Sequence, residues 1–148
     1  MERTVETLEQ ELKSEHDHYL RALADFENYR RRIARERDQL GKEALREFMV
    51  SLLDEVDDIE RLLAFARDDD SPVVQGVRAI HEKLLQLLEK YGVRPIESVG
   101  KGFDPALHEA VNTVPAGEKE PGTIVEEVRR GYVWNDELLR TAQVVVAM

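Results

Sequence analysis

The chain has 148 residues, with 21 basic and 31 acidic side chains, and its formal net charge is −10. The length predicts one domain or two small ones, and the negative charge opposes general binding to nucleic acid or to an anionic membrane. The chain has no cysteine, which excludes disulfides, thiolate nucleophiles and cysteine-based zinc sites. No apolar run approaches the roughly 20 residues of a membrane helix, and the charged N-terminus lacks the apolar core of a signal peptide. We therefore expect a soluble cytoplasmic protein.

The first predicted element is a long helix over about residues 3–67. This segment contains no proline and carries an apolar stripe at helical spacing. The strongest row of that stripe repeats every seven residues: Val5, Leu12, Tyr19, Phe26, Ile33 and Leu40. A lone helix of this kind, about 95 Å long at 1.5 Å per residue, would leave the row in water. We therefore expect a homodimer that pairs through residues 12, 19, 26, 33 and 40, with a hairpin within one chain as the alternative.

A second helix is predicted from Pro72 to about Tyr91. The acidic run 68–70 is unfavourable at the C-terminus of the first helix, whereas Asp70 or Ser71 can cap the next one, with Pro72 in its first turn. Gly92 is a natural stop. This helix could pack beside residues 48–66, and two copies of each helix would form a four-helix bundle.

The last part of the chain, residues 93–148, is rich in valine, glycine and proline. This composition, together with turn signals at 115–117 and 121–122, predicts a compact β unit. The candidate strands are residues 93–96, 110–114, 123–130, 132–134 and 139–147. The sequence therefore predicts an α+β fold, with a helical part over residues 1–92 and a C-terminal all-β domain over residues 93–148.

Catalytic and metal-binding motifs are not found. The glycines at 100 and 102 lack the strand–loop–helix context of a phosphate-binding loop. His81-Glu82 and His108-Glu109 open like zinc-protease motifs, but Leu85 and Asn112 occupy the positions of the second histidine. We therefore expect no enzyme, no metal site and no cofactor.

Three features permit more than one interpretation. The arginines at 30, 31, 32, 35 and 37 point nearly all round a helix, so they could be solvated ion-pair partners, contacts to an acidic protein, or contacts to nucleic acid. Asp104 could cap a turn that begins at Pro105, or the segment 103–105 could bind a partner. Trp134 could be an exposed anchor or part of the core of the β unit.

Several motifs occur together in a characteristic order. They are Phe26-Glu27-Asn28-Tyr29-Arg30-Arg31-Arg32, Tyr91-Gly92-Val93, Phe103-Asp104-Pro105 with His108-Glu109-Ala110-Val111, Gly131-Tyr132, and Leu139-Arg140-x-Ala142-x-Val144-x-Val146. From about residue 15 to the end, this series resembles the GrpE family, the nucleotide exchange factors of the DnaK chaperone.

The resemblance implies a parallel homodimer of long helices, a four-helix bundle near their C-terminal ends and a compact β-domain on each chain. It implies a cochaperone that binds the nucleotide-binding domain of DnaK and holds its cleft open. ADP then leaves, ATP enters and the client protein is released, with no direct contact between this chain and nucleotide. It also implies a role in the heat-shock response, with possible thermosensing through melting of the helices before the β-domain.

The family motifs carry a set of expected chaperone contacts onto this chain. These contacts are Arg30, Arg61, Phe65, Gly76, Phe103, Pro105, Val128 and Val146. A side chain at Gly76 would obstruct docking, although a glycine there could instead serve helix packing. Two alternatives to the exchange factor are a dimeric coiled-coil adaptor without exchange activity, and a nucleic-acid-binding protein that uses the arginine run, which the net charge opposes.

Overall fold

The structure is a computed structural model that describes residues 2–148, and it has two helices followed by six strands. Helix α1 is Glu2–Phe65 and helix α2 is Pro72–Lys90. The strands are β1 (Val93–Pro95), β2 (His108–Val114), β3 (Ile124–Arg129), β4 (Tyr132–Trp134), β5 (Glu137–Arg140) and β6 (Ala142–Ala147). The predicted α+β class is confirmed. No helix among the described residues is long and apolar enough to cross a membrane.

The chain divides into two compact units, residues 1–45 and residues 46–148. In the first unit, α1 is a single helix, and every residue from 4 to 45 is exposed. The second unit contains the end of α1, helix α2 and all six strands.

The connection between the helices follows the predicted capping pattern. Ser71 is the N-cap of α2, its side chain accepts a hydrogen bond from the Val74 N–H at 3.4 Å, and Pro72 opens the first turn. The Ser71 N–H donates to Asp69 Oδ1 at 2.8 Å, and this bond lowers the pKa of the Asp69 carboxyl. At the other end of α2, Gly92 has a φ of +87°, a left-handed conformation that favours glycine.

The six strands form two three-stranded sheets. The first sheet has the order β1-β4-β5 and is antiparallel; the second has the order β2-β6-β3, with β2 parallel and β3 antiparallel to β6. The predicted single strand over residues 139–147 is therefore wrong. The chain leaves the first sheet after Arg140 and enters the second at Ala142, so Thr141 separates two strands that pair with different neighbours.

Each sheet has its own apolar core. The first sheet packs on the helices through the buried residues Met49, Leu53, Val56, Leu88, Val93, Tyr132 and Leu139. Its α1 members, Met49, Leu53 and Val56, are spaced four and three residues apart and so lie on one face of the helix. This face packs against the first sheet. The second sheet has a smaller cluster of Ile124, Ala142, Val144 and Val146, against which Phe103 packs.

Candidate functional site

The predicted dimerisation row lies on the first unit and is exposed along its whole length. The exposed fractions are 71% for Leu12, 61% for Tyr19, 55% for Phe26, 40% for Ile33 and 67% for Leu40. Monomeric proteins rarely expose a continuous apolar row of this length. The row therefore has the character of an association surface.

A second exposed apolar face lies on the helices of the second unit. On α2, Val73, Ile80 and Leu87 recur every seven residues and are 76%, 60% and 50% exposed. On α1, Phe48 is 64% exposed. These residues lie outside the first core cluster, so the helices keep one apolar face for the core and another in solvent.

The arginine run makes weak local contacts. Arg30 lies 3.8 Å from the Glu27 carboxylate and 6.0 Å from the centre of the Phe26 ring. Arg32 lies 3.9 Å from Glu36 and stacks over Tyr29 at 5.4 Å. These ion pairs favour the interpretation of a solvated, ion-paired helix. Because exposed pairs contribute at most about 1 kcal/mol, an acidic partner could replace them at little cost.

The end of α1 presents two of the predicted contacts to solvent. The Phe65 side chain is 93% exposed, and Arg61 donates a hydrogen bond of 3.1 Å to the exposed Asp58 carboxylate. On α2, a Cβ added at Gly76 would have no atom within 4 Å. Packing within this chain therefore does not require a glycine at 76.

The segment around Phe103 is a tightly bonded turn. Asp104 Oδ1 accepts from the Ala106 N–H at 2.9 Å, and the Asp104 N–H donates to His108 Nδ1 at 3.0 Å. The His108 N–H donates back to the Asp104 carbonyl at 2.8 Å. Asp104 and the buried His108 therefore have a structural role, and their turn presents Phe103, which is half-buried, and Pro105, which is exposed.

The remaining predicted contacts separate into one surface residue and one core residue. Val128 on β3 is 57% exposed, whereas Val146 on β6 is only 3% exposed and belongs to the second core cluster. Strand β6 is the central strand of its sheet, and the Val146 side chain packs in that cluster with Ile124, Ala142 and Val144. Val146 therefore supports the surface from beneath and is not itself presented to a partner.

Trp134 belongs to the core side of the β unit. It packs against the first cluster, and its indole N–H donates to the Tyr91 carbonyl at 3.2 Å. The interpretation as an exposed anchor is not supported by these contacts.

A groove of about 490 Å³ brings two predicted contacts together. Arg61 from α1 and Val128 from β3 both line it. The sequence does not predict two further lining residues, Glu127 and Arg129, because nothing in their motif distinguishes them from solvated strand residues. Glu127 Oε2 and Arg129 Nε are buried without a hydrogen-bond partner, and burial raises the pKa of the Glu127 carboxyl.

The predicted contacts that lie at the surface have the composition of a protein-binding surface. No group of three or more potential metal-ligating side chains occurs within residues 2–148 as the structure describes them. The predicted contacts that reach the surface are a mixture of exposed apolar side chains and weakly paired arginines, which is the composition of a protein-binding surface.

Comparison with known proteins gives one consistent result. A family model described as GrpE matches residues 1–148. The chain is 40% identical over 142 residues to Protein GrpE of Parageobacillus thermoglucosidasius, covering 95% of this chain and 63% of that protein. It is 40% identical over 129 residues to Protein GrpE of Carboxydothermus hydrogenoformans, covering 87% and 66%. Protein GrpE of Chlamydia pneumoniae is 37% identical over 150 residues, covering 99% and 82%. The chain thus spans slightly under two thirds of the first two relatives.

Proposed function

The chain belongs to the GrpE family, and we propose that it is a nucleotide exchange factor for a DnaK-type chaperone. The observation that carries this proposal is the family match over residues 1–148. In the proposed mechanism, the protein binds the nucleotide-binding domain of the chaperone in its open form, so that ADP leaves and ATP enters. The client protein is then released.

The exchange step needs no chemistry on this chain. A factor that binds the open state more tightly than the closed state shifts the population toward the open state. By linkage, bound ADP must lower the affinity of the factor for the chaperone by the same ratio by which the factor lowers the affinity for ADP. The absence of a phosphate-binding loop from the sequence is compatible with this mechanism, because the factor does not touch the nucleotide.

We propose that the working form is a parallel homodimer. The exposed row from Leu12 to Leu40 would pair the long helices, and the apolar faces of α1 and α2 in two copies would form the four-helix bundle. Residues 1–92 would then serve dimerisation, and residues 93–148 would contact the chaperone in the cytoplasm. The exposure of both apolar faces in a single chain supports this arrangement.

The proposed chaperone contacts include apolar and charged side chains. Phe65 and Val128 supply exposed apolar area, and Phe103 and Pro105 extend it. Arg30 and Arg61 would contribute charge, which improves association rate and specificity more than affinity. Gly76 would leave room for the approach of the partner.

The test is stopped-flow release of a fluorescent ADP analogue from a DnaK-type chaperone, with and without this protein. We expect a large acceleration that Gly76→Asp abolishes. Gly41→Asp is the matched control, because Gly41 is also a helix glycine with no atom within 4 Å of an added Cβ, and it should retain the activity. If the folded wild-type dimer bound the chaperone and left ADP release unchanged, the chain would be an adaptor.

A further inference from the structure

Two of the three chain connections between the sheets meet at one place in the β unit. The chain passes from β3 to β4 through Arg130 and Gly131, and from β5 to β6 through Thr141. A Cβ added at Gly131 would lie 2.5 Å from the Ala142 nitrogen, so the connections touch. Arg140 Nε also donates to the Arg130 carbonyl at 2.9 Å, which ties one connection to the other.

The same arginine is held by helix α1. Its two terminal nitrogens donate to the two carboxylate oxygens of Asp57 at 2.7 Å and 2.5 Å. Its guanidinium lies 5.3 Å from the centre of the buried Tyr132 ring, and Arg140 is 7% exposed. A bidentate arginine–carboxylate pair fixes direction as well as distance. Asp54 lies further away, at 3.5 Å, and its side chain is 66% exposed.

Helix α1 makes two other polar contacts with the β unit, one to the first sheet and one to Arg130 in the connection between β3 and β4. Arg46 donates to the Leu138 carbonyl at 2.5 Å, within the first sheet. Glu60 lies 3.4 Å from Arg130 and 3.1 Å from His81, and its side chain is 26% exposed. Of these contacts, the Asp57–Arg140 pair is the bidentate one, and it lies where the second sheet begins.

We propose that Arg140 is a positioning residue which, through Asp57, fixes the second sheet relative to helix α1. This inference rests on the proposed exchange function. The second sheet carries Val128 and its core supports Phe103, whereas α1 carries Arg61 and Phe65. A rigid connection makes the two sets of contacts fit one conformation of the partner. A loose connection would let both sets bind the closed conformation as well, which would reduce the preference for the open state.

The experiment compares Asp57→Asn with Asp54→Asn. Asp57→Asn removes the negative charge of the bidentate pair and one of its two acceptor oxygens. Asp54→Asn is the control: it makes the same change about one helical turn earlier, at an exposed side chain. For Asp57→Asn we expect the maximal acceleration of ADP release to fall about tenfold, while the concentration for half-maximal effect changes by less than about threefold. Asp54→Asn should match the wild type.

A buried arginine without its partner can also destabilise the fold. The double variant Asp57→Asn with Arg140→Gln removes both charges, and it should show the same loss of maximal acceleration while remaining folded by circular dichroism. A second readout is the distance distribution between spin labels at positions 55 and 126, on α1 and β3. This distribution should broaden in Asp57→Asn and in the double variant.

Three results would overturn the positioning role, and a fourth would reject the proposed function. A folded double variant with wild-type maximal acceleration, or an unchanged spin-label distribution in either variant, would overturn the positioning role. A proportional loss of affinity and maximal rate would also overturn it, since that result indicates a docking or folding defect. Failure of the wild-type protein to accelerate ADP release would instead reject the proposed function.

Discussion

Replacing Phe26 by aspartate tests whether the exposed row of α1 is a dimer interface. Phe26 is 55% exposed in the single chain. Complete burial of a phenylalanine contributes about 1.5–3 kcal/mol, so covering the exposed 55% contributes about 0.8–1.6 kcal/mol per chain. Two copies lose about 1.6–3.3 kcal/mol of association free energy, which weakens the dimer roughly 15- to 250-fold. Two facing aspartates add repulsion, so this range is a lower bound.

The assay is sedimentation equilibrium over a concentration series. Ala24→Asp is the matched control, because residue 24 is exposed and lies two positions, or about 200° round the helix, from Phe26. It introduces the same side chain on the opposite face and should leave the dimer constant within a few-fold. Equal weakening by both variants, or none by either, would refute the assignment of this row to the dimer interface.

Two further predictions concern the β unit. Gly131→Ala should destabilise the protein by about 1–3 kcal/mol in urea unfolding, because the new methyl group overlaps the Ala142 backbone. Gly102→Ala is the control and should change stability far less, because a Cβ added there has no atom within 4 Å. Equal effects of the two substitutions would contradict the close approach of the two chain connections. Burial raises the pKa of Tyr132 from 10.0 to about 12, so the folded protein keeps this proton longer than the unfolded chain, and stability should fall as the pH rises from about 10 to 12. Tyr132→Phe should reduce that alkaline loss in unfolding curves measured across this range, and an unchanged pH profile would contradict the buried hydroxyl.

The helices were predictable because their signals are local. The Ser71-Pro72 start is confirmed as the N-cap and first turn of α2. The apolar row from Leu12 to Leu40 repeats at a short interval, and its residues lie in the single helix α1. The ends of α1 and α2 differ from the prediction by one or two residues, as frayed helix ends commonly do.

The β unit was less predictable because its topology depends on contacts between distant residues. Strands β5 and β6 are separated at Thr141 because β5 pairs with β4, whereas β6 pairs with β2 and β3. The sequence 139–147 itself contains no local signal of this break. The family motif places Val146 among the chaperone contacts, but its side chain is buried in the second core cluster. The Asp57–Arg140 pair joins residues far apart in sequence, so spacing could not reveal it.

The most direct test of the proposed mechanism is the affinity of this protein for a DnaK-type chaperone with and without bound ADP. If the protein acts by preferring the open nucleotide-binding domain, ADP must weaken the binding of this protein to the chaperone. By linkage, this protein must weaken the binding of ADP to the chaperone by the same factor. Isothermal titration of each ligand in the presence and absence of the other measures both factors, and we expect them to agree. Equal affinity for the ADP-bound and nucleotide-free chaperone would contradict the exchange mechanism and leave a protein that binds the chaperone without opening it.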